Sequence, residues 1–68
     1  MPFVHVRITE GGVTADQKSQ IIRKMTDVLA ETLGKNPAST MVVIDEVPTD
    51  NWGFGGQSVT ELRKAKGD

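Results

Sequence analysis

Thr14-Ala15-Asp16-Gln17-Lys18-Ser19-Gln20-Ile21-Ile22-Arg23-Lys24-Met25-Thr26-Asp27-Val28-Leu29-Ala30-Glu31-Thr32-Leu33-Gly34 is the segment on which the layout of this 68-residue chain turns. Thr14 with Gln17 three residues on forms a capping-box pattern, in which each side chain satisfies a backbone N–H that the first helical turn leaves open. Asp16 in that turn suits the positive end of the helix dipole. Ile21, Ile22, Met25, Val28, Leu29 and Leu33 recur at helical spacing, with Gln20, Arg23, Lys24, Asp27 and Glu31 opposite. Gly34 can take the left-handed conformation that ends a helix, and Pro37 forbids its continuation. The pattern predicts one helix over residues 15–33, its apolar stripe belonging to a core.

On the amino-terminal side, Phe3 to Ile8 is mostly β-branched or aromatic and alternates in character. Val4, Val6 and Ile8 share one face of that strand, and Phe3, His5 and Arg7 share the other. On the carboxyl-terminal side, Ser39-Thr40 opens a second strand through Val47. Its run Met41-Val42-Val43-Ile44 is apolar without alternation, as in strands covered on both faces. Strand, long helix, strand is a β-α-β unit, so the two strands should be parallel with a right-handed crossover. One helix can cover only one face of that pair. No other element is left for the second face, so another subunit must supply it.

Beyond Pro48-Thr49-Asp50-Asn51, a loop, lies Trp52-Gly53-Phe54-Gly55-Gly56, dense enough in glycine for a tight hairpin. It lacks the spacing of a dinucleotide fingerprint. Ser58 to Leu62 is expected to make a helical turn, and Lys64 to Asp68 a frayed tail. The fold class is therefore α/β: a β-α-β unit with two parallel strands, one long helix and a carboxyl-terminal Gly-rich hairpin, completed by oligomerisation. Residues 1–68 form one domain.

Composition narrows the chemistry. The chain has no cysteine and one histidine, His5, so disulfides, thiolate catalysis and a His/Cys metal site are excluded. At this size a chain buries only about 60% of the surface its unfolded form exposes. With no disulfide or metal to staple it, a partner subunit is the remaining support. The net charge is −1 with signs mixed along the chain, which gives no basic stripe for nucleic acid. There is no membrane-length apolar stretch and no signal-peptide core. A cytoplasmic location, no nucleic-acid partner and no membrane are expected.

A Ser-His-Asp arrangement would have to use His5, which sits within a strand. Asp45 and Glu46 are adjacent in a strand and point to opposite faces, so they do not pair for hydrolysis. What remains is Pro2. If Met1 is removed, Pro2 becomes a secondary amine at the head of a strand, a base that needs no side chain. Ordinary α-amino groups titrate at about 7.7–8.0. Partial burial and a nearby cation bring an amine toward neutrality, where a general base works best. Trp52, Phe54 and Met41 could supply apolar walls. Arg7 or Arg63 could supply charge and hold a substrate carboxylate.

Pro2 heading a short strand, Glu10-Gly11, the Gln17-Lys18 helix start and the Trp52-Gly-Phe-Gly-Gly segment occur in an order and spacing that resembles the 4-oxalocrotonate tautomerase family. The likeness covers nearly the whole chain. It implies a homohexamer, a trimer of dimers, with active sites shared between subunits. It also implies removal of Met1 and a cofactor-free reaction in which Pro2 moves a proton between the oxygen and carbon ends of a dienol acid such as 2-hydroxymuconate. Trp52 stands where the family has a phenylalanine at the pocket wall. Thr9 stands where a backbone N–H helps bind substrate. The family's two substrate-binding arginines fall on Gly12, beside a one-residue insertion, and on Met41. Losing a charge-assisted contact costs about 1.5–3 kcal/mol, so a weaker or re-specified tautomerase is expected, with Arg7 and Arg63 as the substitutes. The alternatives are a dehalogenase-like hydratase of the same superfamily, with Glu46 or Glu10 activating water, and a non-catalytic oligomeric binding protein.

Overall fold

A computed structural model describes residues 2–67. Met1, whose removal is expected, and Asp68 at the end of the tail lie outside the described residues. The chain runs β1 (Phe3–Thr9), α1 (Ala15–Leu33), β2 (Met41–Val47), β3 (Gly53–Phe54), β4 (Gln57–Ser58) and α2 (Val59–Ala65), with single 3-10 turns at Pro37–Ser39 and Thr49–Asn51.

The central helix has the predicted bounds because both of its ends are locally encoded. Gln17 N–H donates to Thr14 Oγ1 at 3.1 Å, and Thr14 N–H donates to Gln17 Oε1 at 2.9 Å. At the other end Gly34 is left-handed, φ 66°, and its N–H donates to the Ala30 carbonyl at 3.0 Å. The Thr14 N-cap contributes about 0.5–2 kcal/mol.

β1 and β2 are parallel, in the register Phe3↔Met41, His5↔Val43, Arg7↔Asp45 and Thr9↔Val47. Helix α1 lies against the face that carries Val4, Val6, Ile8, Val42 and Ile44, all half-buried. On the same face Lys18 Nζ donates to Glu46 Oε2 at 2.8 Å, tying helix to strand. The opposite face is bare. Phe3 is 58% exposed, Met41 48% and Val43 41%. The expectation that β2 is covered on both faces thus holds for one face within a single chain.

The helix stripe needs a similar correction. Ile21 and Leu29 are half-buried, whereas Ile22, Met25, Val28 and Leu33 are exposed. A two-stranded sheet is too narrow to cover the whole stripe, so these side chains are not a core in one chain. Among the described residues none is fully buried. The radius of gyration is 15.7 Å, where a compact chain of this length would have about 11 Å. A chain without an interior has little hydrophobic stabilisation of its own. Its exposed stripe and bare sheet face are surfaces shaped for association.

The hairpin β3–β4 is antiparallel, Gly53 opposite Ser58 and Phe54 opposite Gln57. Gly55 and Gly56 both have positive φ, 56° and 91°, as two-residue turns matched to strand twist require. The segment expected to hold a helical turn and then fray is instead one helix through Ala65. The reason is a second capping box. Ser58 N–H donates to Glu61 Oε1 at 3.0 Å, and Glu61 N–H donates to Ser58 Oγ at 3.1 Å. The hydrogen bond from the Ser58 backbone, then that from its hydroxyl, holds the Glu61 carboxyl below the ordinary 4.5.

Candidate active site

The residues singled out from the sequence fall into two groups at opposite ends of the strand pair. At the head lie Pro2 and Met41. Pro2 is half-buried, and its carbonyl accepts from the Met41 N–H at 2.9 Å. One hydrogen bond therefore extends the ladder past β1 and fixes the proline where the strand begins. Its neighbours on the bare face are Phe3 and Met41, side by side in register.

At the tail lie Arg7, Thr9 and Trp52. A pocket of about 240 Å³ is lined there by Arg7, Val47, Asn51, Trp52 and Gly53. Alternation along the strands puts Arg7, Asp45, Thr9 and Val47 on the same bare face as Phe3 and Met41. Trp52 follows the 3-10 turn Thr49–Asn51. Two hydrogen bonds secure this corner: Val59 N–H donates to the Trp52 carbonyl at 2.7 Å, and the Thr49 and Thr60 hydroxyls meet at 2.6 Å.

Thr9 presents its backbone outward. Met41 N–H to Pro2 O and Glu10 N–H to Val47 O flank the ladder. In a parallel pair, bonding residues alternate along each strand, so the even-numbered residues of β1 bond to β2. The Thr9 N–H therefore points to the free edge, open to a ligand or another chain.

Two neighbours of this corner were not singled out from the sequence. Asn51 lines the pocket. Asp45 places Oδ2 3.6 Å from Arg7 Nε and 3.8 Å from His5 Nε2. Asp45 and Glu46 do point to opposite faces, and each meets a different cation. The Asp45 contact could have been found only by knowing that Arg7 and Asp45 are in register. Arg63 lies in the last turn of α2 and is not part of the pocket lining.

Pro2 and the Arg7–Trp52 corner do not meet within one chain. Arg7 lies five residue steps along the strand from Pro2, about 16 Å at the rise of a β-strand. A site that uses both must be assembled from two copies. Among the described residues the strand pair has a free edge on each side, and a two-fold that joins such edges antiparallel sets the head of one pair beside the tail of the next.

Comparison with known proteins places the chain in a family. The model of the tautomerase enzyme family matches residues 2–62. A Dickeya dadantii (strain 3937) protein named "Probable tautomerase K2" is 66% identical over 64 residues, 94% of this chain and 96% of that one. A Pseudomonas putida protein named 2-hydroxymuconate tautomerase is 42% identical over 62 residues, 91% of this chain and 97% of that one. The solved structure of a heterohexamer 4-oxalocrotonate tautomerase from Chloroflexus aurantiacus J-10-fl superposes with a TM-score of 0.80 at 30% identity, covering 93% of this chain and 100% of that chain. With its β-α-β unit, its proline at the strand head and a family match over nearly its whole length, the chain belongs to the tautomerase family.

Proposed function

We propose that this tautomerase moves a proton between the enol oxygen and a carbon of a 2-hydroxydienoate of the 2-hydroxymuconate kind, with the Pro2 amine as general base once Met1 is removed. The observation that carries the reading is the position of Pro2. It sits at the head of β1, its carbonyl bonded to Met41 at 2.9 Å, so the ring nitrogen projects from a fixed point. The amine takes the proton from the 2-hydroxyl and returns one to carbon, and the electrons move through the conjugated chain. The step is neutral overall and calls for no cofactor.

In this reading residues 1–68 act as one domain, and the site is shared between copies in a homohexamer built as a trimer of dimers. Trp52 forms an aromatic wall, the outward Thr9 N–H donates to substrate, and Met41 lines the proline end. Arg7 and Arg63 are the cations offered to substrate carboxylates. The hydratase alternative loses one candidate, because Glu46 is engaged with Lys18 at 2.8 Å on the helix-covered face. The test is ketonisation of 2-hydroxymuconate by protein whose mass confirms loss of Met1, beside Pro2→Ala. A fall of at least about a hundredfold in the variant supports the reading, on the scale of lost general-base catalysis. Equal rates overturn it.

A further inference from the structure

The pocket at the strand tail has a composition suited to one kind of ligand. Arg7 is charged, Asn51 brings an amide, Trp52 and Val47 are apolar, and Gly53 presents only backbone. Within one chain the side chain of Arg7 is 64% exposed and that of Asp45 47%. At 3.6 Å through Nε, Asp45 pairs with Arg7 as a charge rather than through a good hydrogen bond. The contact leaves the two terminal nitrogens of the guanidinium, the fork that binds a carboxylate in bidentate fashion. The Asn51 amide can donate two hydrogen bonds to an anion. The indole of Trp52 offers a flat face to a planar conjugated chain.

Resting on the tautomerase reading above, we propose that this pocket is a carboxylate subsite of the substrate. Arg7 and Asn51 bind the carboxylate oxygens, Asp45 positions the Arg7 side chain, and Trp52 packs against the conjugated carbons that follow. The subsite serves the Pro2 of another copy, because the two ends of one chain are too far apart to share a small acid. It distinguishes Arg7 from Arg63, which lies outside the pocket lining. One carboxylate of the diacid is held at the Arg7 corner, and the conjugated chain runs from there toward the proline of the other copy.

Trp52 is the only tryptophan, so its fluorescence reports on this pocket alone. The probe is cis,cis-muconate, a conjugated diacid without the 2-hydroxyl on which turnover depends. It is titrated into wild-type protein, Arg7→Ala, Arg7→Lys and Asn51→Ala, with the mass in solution measured for each. Saturable quenching in the wild type, weakened at least about tenfold in Arg7→Ala and less in Arg7→Lys and Asn51→Ala, supports the subsite. The KM for 2-hydroxymuconate should rise with it while kcat changes less. The proposal is overturned if the wild type does not bind muconate, or if Arg7→Ala and Arg7→Lys bind as the wild type does. It is also overturned if Arg7→Ala loses its assembly while Arg7→Lys keeps both assembly and wild-type binding, for Arg7 would then be only an interface residue. Muconate binding that depends on Arg7, without any Pro2-dependent turnover, keeps the subsite and removes the tautomerase reading. Pro2-dependent turnover that ignores Arg7 does the reverse.

Discussion

Met41 donates its backbone N–H to the Pro2 carbonyl at 2.9 Å, which ties the residue proposed to carry the reactive amine to the start of the neighbouring strand. The bond uses main chain only, so it survives a change of side chain at either position. Pro2→Ala should therefore assemble like the wild type yet lose at least about a hundredfold in kcat. Light scattering and single-substrate kinetics on the same sample check the two halves of that statement. A variant that also fails to assemble would show that the proline ring is structural.

The bare face predicts dependence on assembly. Val43 is 41% exposed between Phe3 and Met41 on one side and Asp45 on the other. Lysine there would place a charge on a surface that must be covered, and an unpaired buried charge costs several kcal/mol. Val43→Lys should lower the mass in solution and, at micromolar concentration, the helical circular dichroism with it. A variant of wild-type mass and helicity would mean that this face stays open to solvent.

Lys18 and Glu46 make the cross-link between helix and sheet. Their side chains are 34% and 28% exposed, so the pair is partly screened and its coupling should be about 0.2–1 kcal/mol. Glu46→Gln, Lys18→Met and the double variant, unfolded in urea at one fixed protein concentration, give that coupling directly. A coupling near zero would leave the apolar contacts of α1 as the only tie between the two layers.

Glu61 gives helix α2 a pH dependence of defined sign. Its carboxyl is held below the ordinary 4.5, first by the Ser58 backbone hydrogen bond. A depressed folded-state value stabilises the ionised form, so the contribution is complete above the unfolded value and fades as pH falls through the folded one. The amides of α2 should therefore lose hydrogen-exchange protection as pH drops below about 4.5, after correction for intrinsic exchange. Glu61→Gln should abolish that pH dependence and leave α1 unchanged.

Local signals carried much of this structure. The ends of α1 were legible because Thr14, Gln17 and Gly34 close hydrogen bonds within a few residues of themselves. The parallel pairing followed because a helix of that length leaves no other way back to a neighbouring strand. The second capping box, Ser58 with Glu61, is equally local, and it carries α2 through Ala65 where a short carboxyl-terminal segment is otherwise expected to fray.

The sequence by itself determined β1, α1, β2 and the glycine-rich hairpin, their order and the sheet face that the chain leaves uncovered, because capping, period and glycine spacing depend on residue type alone. Only the tertiary structure decided that Arg7 stands opposite Asp45, that Asn51 and Trp52 close a pocket beside it, and that Pro2 lies at the far end. Those facts depend on the register between strands that α1 holds apart in the chain. A slip of β2 by one residue would turn Asp45 and Val47 to the other face, away from Arg7.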